Sequence, residues 1–116
     1  MQDRFRFRFW DKGTQTMQKF PKVELKHRIT LDKIFFDDRV IFMQCTGLKD
    51  KKDKLIYEGD IVKFKTELSE KPKQIIWDEC HYILKDTFII LCNMEIKQFG
   101  LEVIGNIYEN PELLEA

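Results

Sequence analysis

The chain has 116 residues, which suits one domain of about 100–150 residues built around one core. Lys plus Arg equals Asp plus Glu at 20 each, so no global field draws it to nucleic acid or to an anionic membrane. A charged fraction of 34% is set against ten phenylalanines, which excludes a disordered polyampholyte, and the longest apolar runs fall far short of the roughly 20 residues a spanning helix needs.

Arg4 to Trp10 reads R-F-R-F-R-F-W, a period of two that predicts a strand with Phe5, Phe7 and Phe9 on one face and Arg4, Arg6 and Arg8 on the other. Asp11-Lys12-Gly13 predicts a turn in which Gly13 supplies positive φ, and Thr14 to Phe20 predicts the returning strand of a hairpin. Pro21 ends that strand, and Lys22 to Asp38 fits no single period and reads as short irregular strands.

Val40 to Cys45 is β-branched and aromatic, suits a buried strand, and is expected to end at Thr46-Gly47. Lys49 to Lys54 reads as a solvated loop, Leu55 to Tyr57 leads into a turn at Glu58-Gly59-Asp60, and Ile61, Val62 and Phe64 make the next strand. After a polar loop at Thr66 to Lys73, three further strands are expected at Gln74–Trp77, Tyr82–Lys85 and Thr87–Cys92. Met94 to Phe99 has room for one helical turn, Leu101 to Ile107 returns to strand composition, and Asn110-Pro111 starts a short C-terminal helical turn. Gly47, Gly59 and Gly105 stand where strand-like sequence meets a turn, so positive φ or a bulge accounts for each.

Three stretches carry a family resemblance: Phe7-Arg8-Phe9-Trp10-Asp11; Met43 to Asp50 (MQCTGLKD) continuing through Ile56 to Val62 (IYEGDIV); and Glu102 to Leu114 (EVIGNIYENPELL). In order and spacing they resemble the YopX family, small proteins of bacteriophages and prophages of Gram-positive bacteria. The resemblance implies an all-β fold, a phage or prophage origin and a role in contacts with the host, and it implies no enzyme chemistry. The chain departs from the pattern at Cys45, where the family more often has an aromatic, and over Lys12 to Val40, which matches no part of it. Tyr57 to Val62 followed by Ile75-Ile76-Trp77 also resembles the diverging turn and next strand of an SH3-like barrel, a likeness of fold alone.

Chemistry-bearing residues are sparse. Cys45, Cys80 and Cys92 are odd in number and widely spaced, neither a disulfide framework nor paired metal knuckles, which suggests a reducing cytosol. Cys80 and His81 adjoin, but neighbours on a strand point to opposite faces, so the pair is not expected to share a proton. Asp37-Asp38, Asp50 and Asp53, Asp60 and Asp78-Glu79 fall in predicted loops or turns, where Asp is favoured for backbone reasons alone. No phosphate-cradling glycine loop, nucleophile elbow or dinucleotide fingerprint occurs.

The reading is therefore an all-β chain spanning residues 1–116 as one domain, a small barrel or sandwich of short antiparallel strands with SH3-like features in its C-terminal half. Its expected role is that of a non-enzymatic cytoplasmic binding or regulatory protein. No catalytic, metal or cofactor residues are expected, and it is expected to act through protein contacts with itself or with a host or phage protein. The alternative is a nucleic-acid-binding β-barrel using the Arg4, Arg6 and Arg8 stripe. Arg4, Arg6, Arg8, Trp10 and Trp77 are the candidate interaction residues, because large aromatics and arginines dominate binding energy at interfaces.

Overall fold

The computed structural model describes residues 7–20, 40–64 and 71–114. Its elements run β1 (Phe7–Asp11), β2 (Thr16–Phe20), β3 (Val40–Lys49), β4 (Leu55–Tyr57), β5 (Asp60–Lys63), β6 (Lys73–Asp78), β7 (His81–Leu84), α1 (Asn93–Phe99), β8 (Glu102–Asn106) and a 3-10 turn at Pro111–Leu114. The protein is mostly β, with two antiparallel sheets ordered β2-β1-β3-β4 and β7-β6-β5-β8, one of them a half-barrel. Arg4, Arg6 and the irregular strands expected over Lys22 to Asp38 lie outside the described residues.

The N-terminal hairpin forms as expected, with Asp11 opposite Thr16, but positive φ falls on Gln15 (54°) and not on Gly13. The Asp11 carboxylate explains the difference: its Oδ1 accepts the N–H groups of Gly13 (2.9 Å) and Thr14 (3.3 Å) and shapes the start of the loop without a left-handed residue there. β3 runs ten residues, straight through Thr46-Gly47, where an end was expected. Its first half pairs with β1 and its second with β4, and the register slips between Cys45 and Lys49. Gly47, at φ 81°, is the residue that lets a strand bulge and turn from one partner to the other.

The main core lies under the second sheet. Val62, Ile75, Leu84 and Val103 share its inner face with Ile56, Leu91 and Leu101, and α1 adds Ile96; all are at most 8% exposed. α1 is longer than one turn and stops at Gly100, in left-handed conformation, whose N–H donates to the Ile96 carbonyl. The segment Thr87–Cys92, expected as a strand, contributes one bridge, Ile83 to Ile90, beside the edge of β7. A tight turn takes its place: the Leu84 carbonyl accepts the Thr87 hydroxyl (2.7 Å) and N–H (3.1 Å), and α1 begins before a ladder can extend.

The loop after β3 is anchored, not merely solvated. Asp50 is 6% exposed; its Oδ1 accepts the N–H groups of Lys52 (2.8 Å) and Lys54 (2.9 Å), and its Oδ2 accepts that of Val103 (2.8 Å) on β8. β8 is bulged opposite Ile61 and Val62, next to Gly105. There the need is for space: a Cβ on Gly105 would lie 2.5 Å from Asn110 Oδ1. Asn110 then leads into the 3-10 turn, with the Leu113 N–H donating to its carbonyl at 3.1 Å. No helix of the described residues is long and apolar enough to cross a membrane.

Candidate interaction surface

The candidate residues do not form one patch. The β1–β3 register sets Arg8 beside Met43 and Trp10 beside Ile41 on one face, with Phe7, Phe9, Phe42 and Gln44 on the other. The period of two is real, but the face expected to meet solvent is turned inward at Arg8. Arg8 is 5% exposed, with its Nη2 donating to Asp60 Oδ1 at 2.6 Å and its guanidinium 4.7 Å from the centre of the Tyr57 ring. Asp60 Oδ2 in turn accepts the Tyr57 N–H at 2.7 Å. Burial pushes the Asp60 carboxyl above its ordinary value of 3.8, opposed by the Arg8 charge and the Tyr57 N–H.

Arg8 is thus corrected from a surface candidate to a buried tie between β1 and β5. A buried charge needs a partner, and the Asp60 on the opposing sheet supplies one. Trp10, on the same face, stacks on Tyr108 with ring centres 5.8 Å apart and planes 20° apart, which leaves it half-buried. Trp77 is different: it is 50% exposed and meets Tyr82, its partner across β6 and β7, edge-on at 4.8 Å.

The face opposite Trp77 carries apolar residues that are not apparent from the sequence alone. Ile76 pairs with Ile83, and Ile83 with Ile90, so the three side chains form a row on the face opposite Ile75 and Leu84. Ile61, opposite Gln74 on this same face, is fully buried; Ile76 and Ile83 are half-buried, and Ile90 is 48% exposed. Burial therefore fades from β5 towards the β7 edge. Phe88, two residues before Ile90, is completely exposed. The signal was present as tandem apolar pairs, Ile75-Ile76 and Ile83-Leu84, each giving one side chain to the core and one to the far face.

Two further features lie apart from this face. A cleft of about 530 Å³ lies between the Lys49–Asp53 loop and α1, floored by Ile96, but both oxygens of its one buried carboxylate, Asp50, are occupied by backbone donors. Cys80 Sγ and His81 Nδ1 stand 3.1 Å apart, contrary to the opposite-face expectation, because Cys80 lies in the loop between β6 and β7 and not on a strand. Among the described residues no group of three or more His, Cys, Asp or Glu is placed to hold a metal ion.

These features define a small, mostly β chain in which one sheet is tied to a half-barrel by a buried arginine. The chain belongs to the YopX family: the model for YopX protein matches residues 6–115. It is similar in structure to protein EF1440 from Enterococcus faecalis, with a TM-score of 0.71 and 25% identity over 95% of this chain and 97% of that one. It also resembles protein yopX from Bacillus subtilis, with a TM-score of 0.67 over 97% of this chain and 98% of that one; at 18% identity the likeness is one of fold. No curated protein matches the chain.

Proposed function

We propose that the chain is a non-enzymatic binding or regulatory protein of phage or prophage origin, acting in the host cytoplasm through protein contacts that include a second copy of itself. Its contact face is the outer row Ile76, Ile83 and Ile90 beside Phe88, on the side of the sheet opposite Trp77. The observation that carries this reading is the loss of cover along the row, which ends at Ile90, 48% exposed, with Phe88 fully exposed two residues before it; exposed large apolar side chains near one another mark an interaction surface. The nucleic-acid alternative loses support from the burial of Arg8, whose charge is neutralised by Asp60 and is out of reach of a phosphate.

Size-exclusion light scattering of the wild type beside Phe88→Glu and Ile90→Lys tests the proposal. The wild type is expected to run as an oligomer and both variants as monomers of unchanged fold. A wild type that is monomeric at every concentration, and that retains no host protein after nuclease treatment, would rule the reading out.

A further inference from the structure

We infer that Cys80 and His81 form a thiol–imidazole pair at the tip of the β6–β7 hairpin, a modification site at which the chain exchanges with a small amine-bearing disulfide. The inference is independent of the apolar face. β6 and β7 pair down to Asp78 opposite His81, which leaves Glu79 and Cys80 as a two-residue loop. Glu79 takes a left-handed conformation, φ 55°, and the loop brings Sγ to 3.1 Å from Nδ1. A nucleophile within hydrogen-bond reach of a base is the arrangement that activates a thiol, and the thiolate is the reacting species.

Access separates this cysteine from the other two. Cys80 is exposed, Cys92 is half-buried and Cys45 is buried. The charged groups beside the pair are the carboxylates of Asp78 and Glu79, both exposed, and the Trp77–Tyr82 pair is the next rung of the ladder. The side chains of Cys80 and His81 hydrogen-bond to each other, and His81 is held by its ladder position opposite Asp78. Two carboxylates beside the thiol attract a cationic reagent and repel an anionic one, which sets the ligand class.

In the exchange, Nδ1 takes the Cys80 proton and Sγ attacks one sulfur of the disulfide. The Sγ–S bond forms as the S–S bond breaks, and the departing thiolate takes the proton from the imidazolium. One disulfide is consumed and one mixed disulfide is formed, so no outside oxidant is required.

The test exposes the folded protein to cystamine or to oxidised glutathione and follows adduct formation by mass spectrometry across pH. A single adduct on Cys80 is expected, severalfold faster with cystamine, and the preference should narrow in Asp78→Asn with Glu79→Gln. His81→Gln removes the base that takes the proton from Sγ and should slow the reaction severalfold at neutral pH. The two rates should converge in alkali, where every thiol is ionised. An adduct that forms first on Cys92, or a His81→Gln profile that superimposes on the wild type, would overturn the inference.

Discussion

Arg8 and Asp60 lie at 5% and 1% exposure, so each makes the other tolerable. Removing one partner of such a pair leaves a buried charge, and Arg8→Met is expected to lower stability by about 3–5 kcal/mol in urea titration. The loss should depend on pH with a definite sign. Without Arg8 the Asp60 carboxyl is pushed still further above 3.8, the folded state holds its proton longer, and the variant's stability falls as pH rises through that raised value. Arg8→Met should therefore be closest to wild type in acid, below about pH 4, and furthest from it at neutral pH. Gly105 is a second single-residue constraint. Gly105→Ala places a methyl 2.5 Å from Asn110 Oδ1 and 2.9 Å from Asn110 Cβ and is expected to cost about 1–3 kcal/mol, a penalty that the double variant with Asn110→Gly, which lacks both atoms, should reduce.

At the scale of elements, Asp50 joins the β3–β4 loop to β8 through three backbone N–H groups. Asp50→Ala strands those donors and should lower stability by about 3 kcal/mol, with faster amide exchange at Lys52, Lys54 and Val103 as the local readout. The hairpin of β1 and β2, the turn at Glu58-Gly59 and the strands β3, β5, β6 and β7 were legible because their signals are local: alternation, glycine and apolar runs. The continuation of β3 through Gly47 was not, since a glycine that stops a strand and one that bulges it look alike until the partner strand is known. The Thr87–Cys92 segment has strand composition, and the turn held by the Leu84 carbonyl leaves it a single bridge. The faces of β1 were read correctly from period two, and their environments were not. Alternation separates two faces without saying which is covered, and the Asp60 that draws Arg8 inward lies 52 residues away.

Over the whole molecule, apolar residues serve two faces of the second sheet. One is closed by α1 and the Leu91 and Leu101 side chains; the other loses its cover between β5 and β7. The exposed members of the open face should therefore be replaceable without damage to the fold. Phe88→Glu and Ile90→Lys are expected to change unfolding free energy by no more than about 0.5 kcal/mol while abolishing assembly, a separation that light scattering and urea titration read together. Of the five candidate residues, Trp77 alone of those described is open to a partner. The row on the other face of that sheet became visible only when the register joined three isoleucines from separate segments.

Amide hydrogen exchange of the wild type, recorded at low and at high protein concentration, addresses that open face most directly. Concentration-dependent protection confined to His81–Leu84 and the segment through Ile90, and absent in Phe88→Glu, is the predicted result. Exchange along this edge that is identical at both concentrations would contradict it.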